Sequence, residues 1–126
     1  MTKAPAASRT AVLGASPKED RYSFKALRML REHGYQPIPV HPAGHVVDGI
    51  QAVRSLDDID GPVDTVSVYV SSKISDGEFE RIVRLKPRRV IFNPGAENPG
   101  LARRLQAAGL EVVQACTLVL LRTEQY

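Results

Sequence analysis

The sequence predicts an α/β domain of three layers, with a mainly parallel sheet of five or six strands between two layers of helices. Three observations predict it. Short apolar runs of strand length alternate with segments whose apolar residues recur at helical spacing. Two of those helical segments close on a glycine, Gly34 and Gly109, the residue best suited to a left-handed helix end. The 126 residues contain no repeat, low-complexity stretch or internal linker, so one core serves the whole chain. Strand–helix–strand units of this kind take a right-handed crossover and build a parallel sheet, here a small Rossmann-like domain.

Thr10–Ala15 is β-prone and stopped by Gly14, which predicts the first strand. Phe24, Leu27 and Leu30 then line one face of a helix that carries Lys25, Arg28, Arg31 and Glu32 on its other side. Gln36–Val40 is a second strand, but Pro37 and Pro39 each delete a ladder donor, so it should lie near an edge or be short. Ile50–Val53 is placed as a brief outer strand beside it, and Ala43–Gly61 is the least regular part. Thr65–Val70 is the third clear strand, followed by a helix marked by Phe79, Ile82 and Val83. Arg89–Phe92 is the fourth, Leu101, Leu105 and Ala108 mark the next helix, and Glu111–Ala115 is the last strand. Residues 1–8 are expected to form a flexible tail ahead of a single domain spanning 9–126.

Composition removes several function classes. No run approaches the roughly 18 to 20 apolar residues of a membrane span. Met1–Ala7 has no apolar stretch behind it and is not a signal-peptide pattern, so a cytoplasmic protein is expected. A single cysteine, Cys116, excludes a disulfide scaffold and a cysteine-rich zinc site. A net charge of +3 suits a phosphorylated small ligand or no charged partner at all, and gives thin support for a nucleic-acid backbone, which calls for cations concentrated on one face.

In an open parallel sheet, ligands bind beyond the carboxyl ends of the strands, where the strand order reverses. Four polar, turn-rich segments fall there: Gly14–Ser23, His41-Pro42, Ser71–Lys73 and Asn93–Asn98. The first is the most informative. Gly14 permits a tight turn, Ser16 offers a hydroxyl, Lys18 and Arg21 offer charge, and Ser23 is placed to cap the following helix. A helix N-terminus flanked by two cations is a phosphate site on physical grounds. A dinucleotide fingerprint would demand glycine at positions 16 and 19 and an acid ending the second strand; the chain has Ser16, Glu19 and His41. A Walker-type loop is missing as well, so NAD is disfavoured.

The runs VLGASPKEDRYSFKALRMLREHGYQPIPVHP, VDTVSVYVSS, RVIFNPGAEN and EVVQACTLVLL resemble, in order, the small stand-alone CoA-binding proteins. That family is similar to the CoA-binding N-terminal domain of the succinyl-CoA synthetase alpha subunit. The resemblance runs from about Thr10 to Leu121 and implies binding of coenzyme A or an acyl-CoA through its nucleotide half. It implies that Gly14, Ala15 and Ser16 line the phosphates through backbone N–H groups and a hydroxyl, with Lys18, Arg21 and Ser23 adding charge and donors. It implies Val40, His41 and Pro42 on one side of the adenosine and Val70, Ser71 and Ser72 on the other. Asn93, Pro94 and Gly95 would face the pantetheine arm, and Lys18 or Arg21 would take the ribose 3′-phosphate. Relatives often carry Asn in place of His41, which makes this chain's affinity open to pH. Nothing of the synthetase's ATP-dependent machinery follows the single domain, so the resemblance implies binding without catalysis, for sensing or presenting acyl-CoA.

The remaining candidates for chemistry read as scaffold. Cys116 is expected as an inert, partly buried thiol, His33 as a helix-end helper, and Asp57, Asp58 and Asp60 as a solvated turn. His45 has no second ligand at metal spacing. Glu97 is either a ligand contact or a first-turn acid for the helix beginning near Pro99. Two other classes stay open on the residues alone. One is a small NAD(P)-dependent or thiol-dependent enzyme, and the other is an interaction module that has lost its ligand. A protein partner is not identified, and the apolar tail Leu118–Leu121 packs either in the monomer or in a homo-oligomer.

Overall fold

The structure, a computed structural model, describes residues 9–126; the expected tail over 1–8 lies outside the described residues. Five strands, β1 (Arg9–Leu13), β2 (Gln36–Val40), β5 (Thr65–Val68), β6 (Arg89–Phe92) and β7 (Glu111–Gln114), form one parallel sheet in the order β2-β1-β5-β6-β7. A separate two-residue hairpin, β3 (Val46–Val47) with β4 (Ile50–Gln51), lies between β2 and β5 in the chain. The helices are α1 (Tyr22–Glu32), α2 (Ser72–Ser75), α3 (Phe79–Leu85), α4 (Pro99–Ala107) and α5 (Thr117–Arg122). The α/β three-layer expectation stands.

The period-2 alternation of the strands divides the core into two. Ala11 and Leu13 of β1, Val66 and Val68 of β5, and Val90 and Phe92 of β6 point to one face, where they meet Ile82 of α3 and Leu101 and Leu105 of α4. Val12 points the other way, to Phe24, Leu27 and Leu30 of α1 and Leu121 of α5. Leu118 and Leu121 are therefore buried within the monomer, while Val119 between them stays exposed. Helix α1 ends as its glycine predicts: Gly34 adopts φ +87°, and the Tyr35 amide reaches back to the Leu30 carbonyl.

Strand β2 is an edge strand, and its two prolines show why the edge tolerates them. Pro39 directs its carbonyl outward, where it accepts from the Val53 amide (3.0 Å), so its missing donor also falls on the outer side. The expected outer strand over Ile50–Val53 is realised only in part. Ile50–Gln51 belongs to the hairpin, and Val53 alone bridges Val40 in parallel.

Candidate functional site

The chain leaves β1 for β2 on one side and returns to β5 on the other, so the strand order reverses between β1 and β5. The crevice at that point is lined by Gly14, at the end of β1, and by Tyr69 and Val70 just beyond β5. Gly14 has φ +90°, and a Cβ there would stand 2.6 Å from Val70 Cγ1. Only glycine lets the two strand ends approach this closely.

Two recesses open on this edge. The larger, about 620 Å³, has Val40, His41, Pro42, Arg54, Ser55 and Leu56 on one wall, with Val70, Ser71, Ile74, Glu78 and Arg81 opposite. The smaller, about 240 Å³, is bounded by Ser16, Arg21, Tyr22 and Ser23 and by Pro94, Gly95 and Ala96. Gly14 and Tyr69 line both, so the two form one elongated groove across the sheet edge.

Most of the residues expected at a site line this groove, but several do so differently from the expectation. The amides of Gly14 (2.9 Å) and Ala15 (3.2 Å) both donate to the Val40 carbonyl, and the Ser16 amide donates to the Ser23 hydroxyl (3.1 Å). None of these three N–H groups is left for a phosphate. Ser16 Oγ in turn accepts from the Lys18 amide (3.1 Å), which rounds off the turn. Ser23 is buried and clamps this loop; it does not cap α1, whose N-cap residue is Arg21 and which has no side-chain cap. The first-turn amides of Tyr22, Ser23 and Phe24 consequently have no partner within the helix, and Tyr22 and Ser23 line the smaller recess beside Arg21. Lys18 and Arg21 are exposed and make no ion pair among the described residues.

Asn93 is the clearest correction. Its side chain is buried and turned into the sheet: Nδ2 donates to Ser67 Oγ and to the Val68 carbonyl (both 2.9 Å), and Oδ1 accepts from the Thr117 amide (2.9 Å). It ties β5, β6 and α5 together and offers nothing to the groove, whereas Pro94 and Gly95 after it are exposed on the recess wall. Ala15 is fully buried, and Ser72 lies off both recesses at the start of α2. Glu97 is not a first-turn acid of α4, whose N-cap is Asn98 bonded to the Leu101 amide; its carboxylate accepts from the Gly95 amide (3.0 Å). Asp57 is held by Arg84 (2.8 Å) and Arg81 (3.5 Å) in a short 3-10 turn, Leu56–Asp58. Those arginines keep its carboxyl below the usual carboxylate range, the Arg84 hydrogen bond counting most.

The groove also contains residues that strand and helix periodicity did not find. Arg54 and Leu56 arrive because Val53 pairs beside the end of β2, and Glu78 and Arg81 arrive from the turn before α3 and from its first residues. Burial pushes the Glu78 carboxyl up, against the pull of Arg81. Tyr69 has a hydroxyl that is buried without a hydrogen-bond partner, and burial pushes its pKa up strongly. His41 and His45 stack with ring centres 4.4 Å apart; His41 Nδ1 accepts from the Ala43 amide (3.0 Å), and His45 Nε2 donates to the Ala15 carbonyl (3.2 Å). Burial first, and then His45, hold His41 below the usual imidazole range. Among the described residues no cluster of three metal-ligating side chains is present, and no helix is long and apolar enough to cross a membrane.

Comparison with known proteins gives this geometry a family. Over 105 residues the chain is 32% identical to the uncharacterized protein YneT of Bacillus subtilis, covering 83% of this chain and 78% of that one. An uncharacterized protein of known crystal structure superposes with a TM-score of 0.89 at 39% identity, over 94% of this chain and 98% of its own. The fold also occurs within the dinucleotide-forming acetyl-coenzyme A synthetase of Ca. Korarchaeum cryptofilum. There the TM-score is 0.74 at 22% identity, over 87% of this chain and 26% of that one. The model of the CoA binding domain matches residues 8–122, and the chain belongs to that family.

Proposed function

We propose that the protein binds coenzyme A along the groove, nucleotide half first, and that it binds without catalysing a reaction. The observation that carries this reading is the uncapped N-terminus of α1, which opens on the crevice where the strand order reverses. The free amides at the start of α1, with Arg21 beside them and Lys18 on the exposed loop before it, hold the diphosphate. The adenosine lies in the larger recess between Val40, His41 and Pro42 on one wall and Val70, Ser71 and Ile74 on the other. The pantetheine arm leaves past Pro94 and Gly95. A rigid groove that holds the nucleotide and leaves the thiol end outward suits a carrier or sensor of acyl-CoA in the cytoplasm.

Thermal unfolding with CoA, acetyl-CoA, NAD and NADP tests the reading. A ligand that binds only the folded state at 100 times its dissociation constant adds about 2.7 kcal/mol. Stabilisation by CoA and acetyl-CoA, and none by NAD, is the expected result. Stabilisation by NAD or NADP alone would return the protein to the enzyme class.

A further inference from the structure

We infer that Arg54 reads a phosphate on the adenosine ribose and makes the groove selective for a 3′-phosphorylated nucleotide. The inference rests on the CoA reading above and assigns the part of the ligand that Lys18 and Arg21 do not take. Arg54 follows Val53, whose amide donates to the Pro39 carbonyl (3.0 Å) and whose carbonyl accepts from the His41 amide (2.9 Å). That pairing sets Arg54 beside the carboxyl end of β2, on the wall of the larger recess.

Its guanidinium is held in place. Nη1 donates to the Pro42 carbonyl (2.7 Å), and the rest lies over Gly44, where a Cβ would stand 2.8 Å from Cζ and 3.0 Å from Nε and Nη2. The missing side chain at 44 is what gives the group its seat. A guanidinium fixed by one bond keeps its other N–H groups in a rigid fork, the geometry that suits a phosphate. Arg54 makes no ion pair among the described residues. The other arginine of this recess is already committed: Arg81 reaches Asp57 and Glu78 (both 3.5 Å) and donates to the Gly77 carbonyl (3.2 Å). Arg21 borders the smaller recess, where the diphosphate sits. In CoA the third phosphate is carried on the ribose, on the adenosine side of the diphosphate, so the uncommitted cation of the adenosine wall is its partner.

The test is titration calorimetry of CoA and 3′-dephospho-CoA against wild type, Arg54→Gln, Arg54→Lys and Arg21→Gln, with thermal unfolding as a check on folding. A charge-assisted phosphate contact predicts that wild type prefers CoA by about tenfold or more. Arg54→Gln should remove that preference by weakening CoA about tenfold while leaving dephospho-CoA within about twofold. Arg54→Lys should keep part of the preference, and Arg21→Gln should weaken both ligands alike. Equal binding of the two ligands by wild type, an unchanged preference in Arg54→Gln, or a preference lost in Arg21→Gln instead would each overturn the Arg54 assignment and leave CoA binding standing. Failure of wild type to bind either ligand would overturn both readings together.

Discussion

The buried hydroxyl of Ser23 accepts a hydrogen bond from the Ser16 amide at 3.1 Å, so the second residue of α1 holds the loop that leads into it. The loop and the helix start are thereby one rigid piece. Ser23→Ala should cost about 1 kcal/mol, because the Ser16 amide loses its partner, and should speed hydrogen exchange at that amide. Unchanged exchange at Ser16 would show that the clamp is not what orders the loop.

Gly14→Ala should both destabilise the fold and weaken CoA. The left-handed φ of +90° costs an L-residue about 1–2 kcal/mol or more. The added methyl would stand 2.6 Å from Val70 Cγ1 and 3.4 Å from the Tyr69 carbonyl carbon, so the strand ends must part where the two recesses join. Chemical denaturation and calorimetry on the same variant read the two effects; an unchanged CoA affinity would place the ligand elsewhere.

Asn93→Ala separates scaffold from site. Losing its buried bonds to Ser67, Val68 and Thr117 should cost about 2–4 kcal/mol in urea unfolding. CoA affinity, measured well below the melting temperature, should change by less than about threefold, since the carboxamide does not face the groove. A large loss of affinity with little loss of stability would restore Asn93 to the ligand.

The His41 imidazole gives the fold a pH dependence of definite sign. Burial and the neighbouring His45 lower its pKa below the unfolded value of about 6.5, so the native state binds fewer protons than the unfolded one. The stability this group allows is fully present above about pH 6.5 and is lost as the pH falls through that value toward the folded pKa. Protonation also removes the Nδ1 acceptor used by the Ala43 amide. His41→Asn keeps an acceptor and does not titrate, so wild type should lose melting temperature relative to that variant between about pH 7 and pH 5. A gap that stays constant with pH would contradict the assignment.

Much of the fold was legible because strand and helix patterns are local. The apolar runs placed Gln36–Val40 and Arg89–Phe92 within their observed bounds, and Pro37 and Pro39 announced an edge. What escaped was decided by tertiary pairing. Ser23 has the side chain of a helix cap, yet it lies two residues past the N-cap and bonds to a residue seven positions earlier. Asn93 sits in a polar loop sequence, yet its neighbours Ser67 and Thr117 come from β5 and from the end of the chain. Arg54 carries no periodic signal at all. The one clue was the short apolar stretch Ile50–Val53 beside β2: if Val53 pairs in parallel with Val40, its successor must emerge at the same edge as His41.

Amide chemical shifts followed during a CoA titration report whether CoA lies across the carboxyl edge of the sheet with its diphosphate on α1. Saturable shifts should be largest at Tyr22, Ser23 and Phe24 and extend to Gly14, His41, Val70 and Gly95. Shifts confined to the opposite edge, around Tyr35, Asp64 and Tyr126, or none at millimolar CoA, would contradict that placement.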